Sequence, residues 1–335
     1  MASASTSGSA MLKNAAAATE KSSGFYYTTP FSFERSFNEH NAMKWMQENW
    51  TMSIWLSLVY IAVIFAGQNY MQRRHKYDLR PYLAVWSGIL AFFSILATIR
   101  LMSEAIYILV NYGWDYSVCF PSIYYGDSAI WAWLFTVSKA YELGDTLFII
   151  LRKQPLIFLH WYHHVTVMIY SWYTYAYFFA PGRWFAAINS LVHSFMYTYY
   201  CLRACKIRVP KKISMSITFI QLSQMIFGLY VNYSAFQVQQ RGDTCHISED
   251  NVKYSILMYG SYFVLFAHFF YNAYLAPKYP SLESKQANGS ATKSSTMNGG
   301  GDASSAKKSV NGSLTNGINH HHDGDGDSAM HKKQS

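Results

Sequence analysis

The sequence predicts an all-α, polytopic membrane fold, and three observations carry that prediction. Of 335 residues, 51% are hydrophobic and 18% aromatic, while only 13% are charged, a heavier apolar load than soluble domains carry. Seven stretches are long and apolar enough to cross a hydrocarbon core about 30 Å thick as helices. Lys and Arg also collect in alternate loops, as expected of a chain that threads back and forth through a bilayer. A mean hydropathy of zero conceals this, because polar tails at both ends dilute the apolar middle.

Residues 1–48 form an N-terminal segment whose Ser/Ala/Gly-rich start reads as disordered. It has no apolar core of a cleavable signal peptide, so the first span is expected to act as its own insertion signal. The membrane domain covers residues 49–276, with spans near 52–70, 82–102, 130–151, 156–176, 184–204, 213–235 and 254–275. Arg73, Arg74, Lys76 and Arg80 follow the first span, Arg152 and Lys153 the third, and Arg203, Lys206, Arg208, Lys211 and Lys212 the fifth. The opposite loops hold only Arg183, Arg241 and Lys253. The bias predicts a lumenal N-terminus and a cytosolic C-terminus. It also accounts for the net charge of +9 as a topology signal, so no nucleic-acid partner is expected.

Residues 277–335 read as a disordered cytosolic tail, rich in Ser, Asn, Gly, Lys and His. It closes on Lys332-Lys333-Gln334-Ser335, a di-lysine pattern that resembles the retrieval signal of endoplasmic-reticulum membrane proteins. Cys119 and Cys245 both fall in loops assigned to the oxidising lumen and are expected to be bonded. Cys201 and Cys205, at the cytosolic end of the fifth span, are expected to be reduced packing residues.

The fourth span carries His160-Trp161-Tyr162-His163-His164. Residues at i, i+3 and i+4 share one helix face, so three imidazoles converge at bilayer depth, where polar side chains are costly and mark function. At 1.5 Å per residue, His163 lies about 10 Å from the cytosolic face. Glu142 and Asp145 on span three, Asn189 and His193 on span five, Gln221 and Gln224 on span six and His268 on span seven fall at similar depth. A polar site enclosed in the bundle and open to the cytosol is the expectation. Lys139, Glu142 and Thr146 share a stripe, as do Asn189, His193, Met196, Tyr197 and Tyr200. Lys139 with Glu142 fits either a self-neutralising structural pair or a catalytic one.

Imidazoles at i and i+4 can share a metal ion, but di-iron membrane desaturases need several histidine boxes, and one box is present here. No metal and no cofactor is therefore expected, with a metal-dependent hydrolase kept as an alternative. Imidazole also serves as base and nucleophile near neutral pH. A seven-span transporter or receptor is the alternative of a different class, although no inverted repeat or broken-helix pair is evident.

Four motifs occur in order: Lys139-Ala-Tyr-Glu142-Leu-Gly-Asp145-Thr146, His160-Trp-Tyr-His163-His164, Asn189-Ser-Leu-Val-His193-Ser-Phe-Met196-Tyr197-Thr-Tyr199-Tyr200, and Thr218-Phe-Ile-Gln221-Leu-Ser-Gln224. Over residues 30–276 the chain resembles the very-long-chain fatty-acid elongases, most closely the branch represented by elongase 6, which extends long saturated and monounsaturated acyl chains. The resemblance implies a condensing enzyme of the endoplasmic reticulum that joins a long-chain acyl-CoA to malonyl-CoA, losing CO2 and CoA, to give a 3-ketoacyl-CoA.

On that reading His163 carries the acyl group as an acyl-imidazole, and Asn189 and His193 stabilise the enolate or oxyanion. Glu142 and Asp145 orient His160 or His164. Lys139, Thr146, Tyr197, Tyr200, Gln221, Gln224 and His268 line the substrate path, and Arg152 and Lys153, with Lys206 or Arg208, meet the CoA phosphates. The alternative mechanism makes the histidines bases only. A ketoreductase, a dehydratase and an enoyl reductase are the implied downstream partners in the same bilayer, and a homodimer stays open.

Overall fold

The computed structural model describes residues 29–276. The tails, with His320, His321, His322, Lys332 and Lys333, lie outside the described residues, as does the start of the N-terminal segment. Among the described residues the architecture is entirely helical. Two short helices, α1 (Ser32–Arg35) and α2 (Glu39–Asn49), lead into α3 (Met52–Gln72) and α4 (Arg80–Cys119). Then come α5 (Ala129–Glu142), α6 (Gly144–Leu151), α7 (Phe158–Ala176), α8 (Gly182–Ala204), α9 (Lys211–Gln240) and α10 (Glu249–Phe270). A π turn, Tyr271–Leu275, ends the bundle.

Helix starts follow local chemistry. Asn38 accepts from the Asn41 N–H and Ser248 from the Asn251 N–H, each satisfying a donor that the first turn leaves open. Glu249 and Asp250 add negative charge at the α10 N-terminus, where the helix dipole favours it. Pro181 and Pro210 precede α8 and α9, at positions where a missing N–H costs nothing.

The helices α3, α4 and α9 are long and apolar enough to cross a membrane. The other long helices fall short for a physical reason. The α7 and α8 helices carry the histidines and Asn189, and the stretch expected as a single span over 130–151 is two helices end to end. The two meet at Leu143, whose φ of −57° and ψ of −25° stay helical, so α6 continues the path of α5. The second expected span, 82–102, belongs to a helix that runs on to Gly113, with a further helical stretch from there to Cys119. Arg183 neutralises Glu104 inside the protein, and Ala105 and Ile108 continue the buried face. The helix bends at Gly113, whose φ of 84° is open to glycine and strained for other residues.

The most extensive helix pair is α4 with α8. Fully buried Arg183 and Glu104 join them at 2.9 Å, and Arg183 also donates to the Ser117 carbonyl at 2.5 Å and to Ser122 Oγ. A second buried carboxylate, Glu34, accepts from Arg100 at 3.0 Å and from Trp131 Nε1 at 2.5 Å. At the same end of the bundle Cys119 and Cys245 form a disulfide. Beside it the His246 N–H donates to the Cys119 carbonyl, and the Ala180 N–H to the His246 carbonyl. Three loops are thereby tied together.

A crosslink across 126 residues restricts the unfolded chain strongly. Cys245→Ser is expected to lower the thermal midpoint of the detergent-solubilised protein by several degrees, with reductant lowering the wild type equally. A midpoint unmoved by both would mean that the strap contributes no stability. Of the remaining thiols, Cys205 is exposed and Cys201 half-buried.

Candidate active site

The acidic motif crosses the α5–α6 junction and meets two micro-environments. On α5, Lys139 Nζ donates to Glu142 Oε1 at 2.7 Å and to Asn189 Oδ1 at 3.0 Å. Ser138 Oγ donates to the same Glu142 oxygen at 3.1 Å, and His193 Nδ1 lies 3.7 Å from it. Lys139 is 1% and Glu142 3% exposed, so the pair is neutralised without water. A lysine ammonium only donates, which fixes Asn189 with Oδ1 towards Lys139 and leaves its Nδ2 as a free donor group.

On α6, Asp145 turns elsewhere. Trp86 Nε1 donates to Asp145 Oδ1 at 2.7 Å, and Tyr197 Oη to Oδ2 at 2.8 Å. Thr146 Oγ1 lies 2.6 Å from Tyr60 Oη and 3.0 Å from His160 Nε2. The chain Tyr60–Thr146–His160 therefore links the first long helix to the histidine motif. The expected orienting contact from Glu142 or Asp145 to His160 or His164 is not made. Thr146 takes that position at His160, while both carboxylates meet α8, Glu142 at His193 and Asp145 at Tyr197.

The three imidazoles do converge. Ring centroids are 4.5 Å apart for His160 and His164 and 5.6 Å for His163 and His164. His163 also lies 4.9 Å from the Tyr262 ring of α10 and 6.4 Å from Phe266. Among the described residues no group of three or more His, Cys, Asp and Glu side chains is arranged to hold a metal ion.

His163 stands in the wall of a cavity between the helices. Asn189 and Gln224 line it beside His163, and Ile123, Tyr124, Tyr175 and Gly182 line its far end. Along α7, His163 and Thr174 both border the cavity, a separation of about 16 Å at helical rise. One end of the cavity carries the imidazole and the two amides; the rest is mostly aromatic and aliphatic, with the hydroxyls of Thr136, Ser171 and Thr174 among its walls.

Several expected substrate contacts sit elsewhere. His268 is on an exposed face of α10 with Asn272 Nδ2 3.0 Å away, and does not join the cluster. Tyr200 is 44% exposed and stacks edge-on to Tyr197. Gln221 is half-buried against Met196 Sδ at 3.4 Å. Arg152 is half-buried near the end of α6, and Lys153 Nζ donates to the carbonyls of Gln72 and Arg74 at 3.2 and 2.8 Å, which employs it in joining two loops. Tyr60, Trp86, Ser138, Thr166 and Tyr262 enter the site without a sequence motif to announce them.

A helical bundle with membrane-length helices encloses a half-buried histidine triad at one end of a mostly apolar cavity, the arrangement of a membrane enzyme. The chain belongs to the ELO (GNS1/SUR4) family, whose model matches residues 45–281. It is 50% identical over 255 residues to the very long chain fatty acid elongase 6 of Drosophila melanogaster, covering 75% of this chain and 81% of that protein. With the human elongase 6 it shares 50% identity over 246 residues, 73% of this chain and 92% of the relative. Human very long chain fatty acid elongase 3 is 40% identical over 250 residues, 74% and 91% of the two chains. The protein is a multi-pass membrane protein of this family.

Proposed function

We propose that the protein is the condensing acyltransferase of fatty-acid elongation, joining a long-chain acyl-CoA to malonyl-CoA to release CO2 and CoA and form a 3-ketoacyl-CoA. Membership of the family and 50% identity to elongase 6 proteins support this. The observation that carries the reading is His163 in the wall of a cavity that is polar at its reactive end and mostly apolar beyond.

In the proposed mechanism a His163 ring nitrogen attacks the acyl thioester carbonyl. The new N–C bond replaces the C–S bond and CoA departs, leaving the chain as an acyl-imidazole. Malonyl-CoA then loses CO2; the electron pair of the broken C–C bond forms an enolate that attacks the acyl carbon, and the imidazole is regained. Asn189 Nδ2, presented by the Lys139 contact to Oδ1, donates to the oxyanion or enolate, with His193 beside Glu142 as its neighbour. Tyr60 and Thr146 hold His160. No cofactor is required beyond the two CoA substrates.

The proposed topology counts α3, α4, α5 with α6, α7, α8, α9 and α10 as seven spans in the endoplasmic-reticulum membrane. The disulfide end is lumenal and the loops bearing Arg152, Lys206 and Arg208 are cytosolic, where they meet the CoA phosphates. The 3-ketoacyl product requires a ketoreductase, a dehydratase and an enoyl reductase to complete a cycle.

The test is incorporation of labelled malonyl-CoA by purified protein given palmitoyl-CoA. An eighteen-carbon 3-ketoacyl product is expected; no product across a series of acyl lengths, from folded protein, would overturn the reading. Chain length adds a second check. Ala186 borders the cavity one turn from Gly182, so Ala186→Leu is expected to shorten the longest accepted acyl chain. Each excluded methylene forfeits about 0.8 kcal/mol, roughly fourfold in kcat/KM. An unchanged length profile would remove the acyl chain from this cavity.

A further inference from the structure

We infer that Tyr262 is the positioning residue for the His163 imidazole, setting the ring's attitude towards the reacting carbonyl. The inference rests on His163 being the reacting histidine of the condensing enzyme. His163 is surrounded by rings: His164 on its own helix, and Tyr262 and Phe266 from α10. Tyr262 and Phe266 are four residues apart and share a helix face, so α10 offers His163 a two-ring wall. Tyr262 is the nearer, with centroids 4.9 Å apart and planes at 50°.

A wall orients a ring only if it is itself fixed, and Tyr262 is fixed on the α7 backbone. Its Oη, with one proton to give, lies 2.6 Å from Thr166 Oγ1 and 3.3 Å from the His163 carbonyl. Thr166 Oγ1 in turn donates to the Tyr162 carbonyl at 2.7 Å. One residue away, Tyr162 Oη and Ser261 Oγ are 3.0 Å apart. Residues 261 and 262 thus clamp α10 onto α7 at the turn that carries His163. Tyr262 is 2% exposed, so water does not compete for the clamp. The ring that faces the imidazole and the hydroxyl that holds to α7 through Thr166 belong to one side chain, so a shift of α10 moves the wall against which the imidazole rests.

The experiment compares Tyr262→Leu, Tyr262→Phe and Thr166→Val with wild type for kcat and both KM values, with thermal midpoints recorded. Tyr262→Leu is expected to lower kcat about 10²-fold, the cost of a misplacement of about 1 Å, with both KM values within about threefold of wild type. Tyr262→Phe keeps the ring face and is expected to recover at least about tenfold of that loss. Thr166→Val, which releases the hydroxyl grip but keeps both rings, is expected to lower kcat less than Tyr262→Leu at unchanged KM.

A raised acyl-CoA KM with unchanged kcat in Tyr262→Leu would make Tyr262 a cavity wall only and overturn the inference. So would equal activity of the Phe and Leu variants. If Tyr262→Leu does not fold, wild-type kcat in both other variants overturns it. Failure of the underlying reading shows separately, as wild-type protein that makes no 3-ketoacyl product. Absence of an acyl adduct in active wild type removes the covalent step and leaves the kcat-against-KM comparison decisive.

Discussion

His163→Ala is expected to abolish both condensation and the release of CoA from acyl-CoA given alone. The second readout separates the two mechanisms. If His163 forms the acyl-imidazole, wild type incubated with palmitoyl-CoA and no malonyl-CoA liberates one equivalent of CoA per site and gains a palmitoyl mass on the peptide bearing His163. If the histidines act only as bases, no CoA appears until malonyl-CoA is added. Losing a nucleophile should cost at least about 10³-fold in kcat, since a general base alone contributes about 10²–10⁴-fold. Asn189→Ala should cost about 10²–10³-fold, as for loss of one oxyanion donor, yet retain the adduct if Asn189 acts mainly on the enolate. Wild-type adduct formation in His163→Ala would move the covalent role to another imidazole. Active wild type without any adduct would favour the base-only mechanism.

The convergence of the three histidines and the all-helical architecture were legible in the sequence because each depends on spacing along one element. What spacing along one helix does not reveal is azimuth relative to other helices. His268 matched the site in depth, but it lies six residues beyond Tyr262, about 240° further round a helix of 3.6 residues per turn. It therefore faces away while Tyr262 faces in. The partners of the motif residues were illegible for a related reason. Trp86 reaches Asp145 from 59 positions away, Tyr60 reaches Thr146 from 86, and Tyr262 reaches His163 from 99. A hydroxyl or indole in an apolar span carries no sign of where its donor goes.

Removing Arg183 is expected to be the most damaging single change to the fold. Arg183 and Glu104 are both 0% exposed, and the guanidinium also supplies the Ser117 carbonyl and Ser122 Oγ. Arg183→Leu would leave a carboxylate buried without a counter-charge, a loss of about 3–5 kcal/mol, comparable with the net stability of many domains. The protein should fail to give a monodisperse peak in detergent, or should melt far below wild type. The pair itself need not be stabilising, because replacing both charges by apolar groups of similar volume is often neutral or favourable. Arg183→Leu combined with Glu104→Leu should therefore recover much of the lost stability, less the share owed to the two serine contacts. Activity should return with it. Asn189 and His193 stand on the same helix, about 9 and 15 Å along from Arg183, so the pair serves the chemistry only by seating α8 against α4. A double variant that folds but stays inactive would instead assign the pair a part in the reaction. A double variant no more stable than the single one would show that Arg183 holds the bundle through Ser117 and Ser122, with Glu104 incidental.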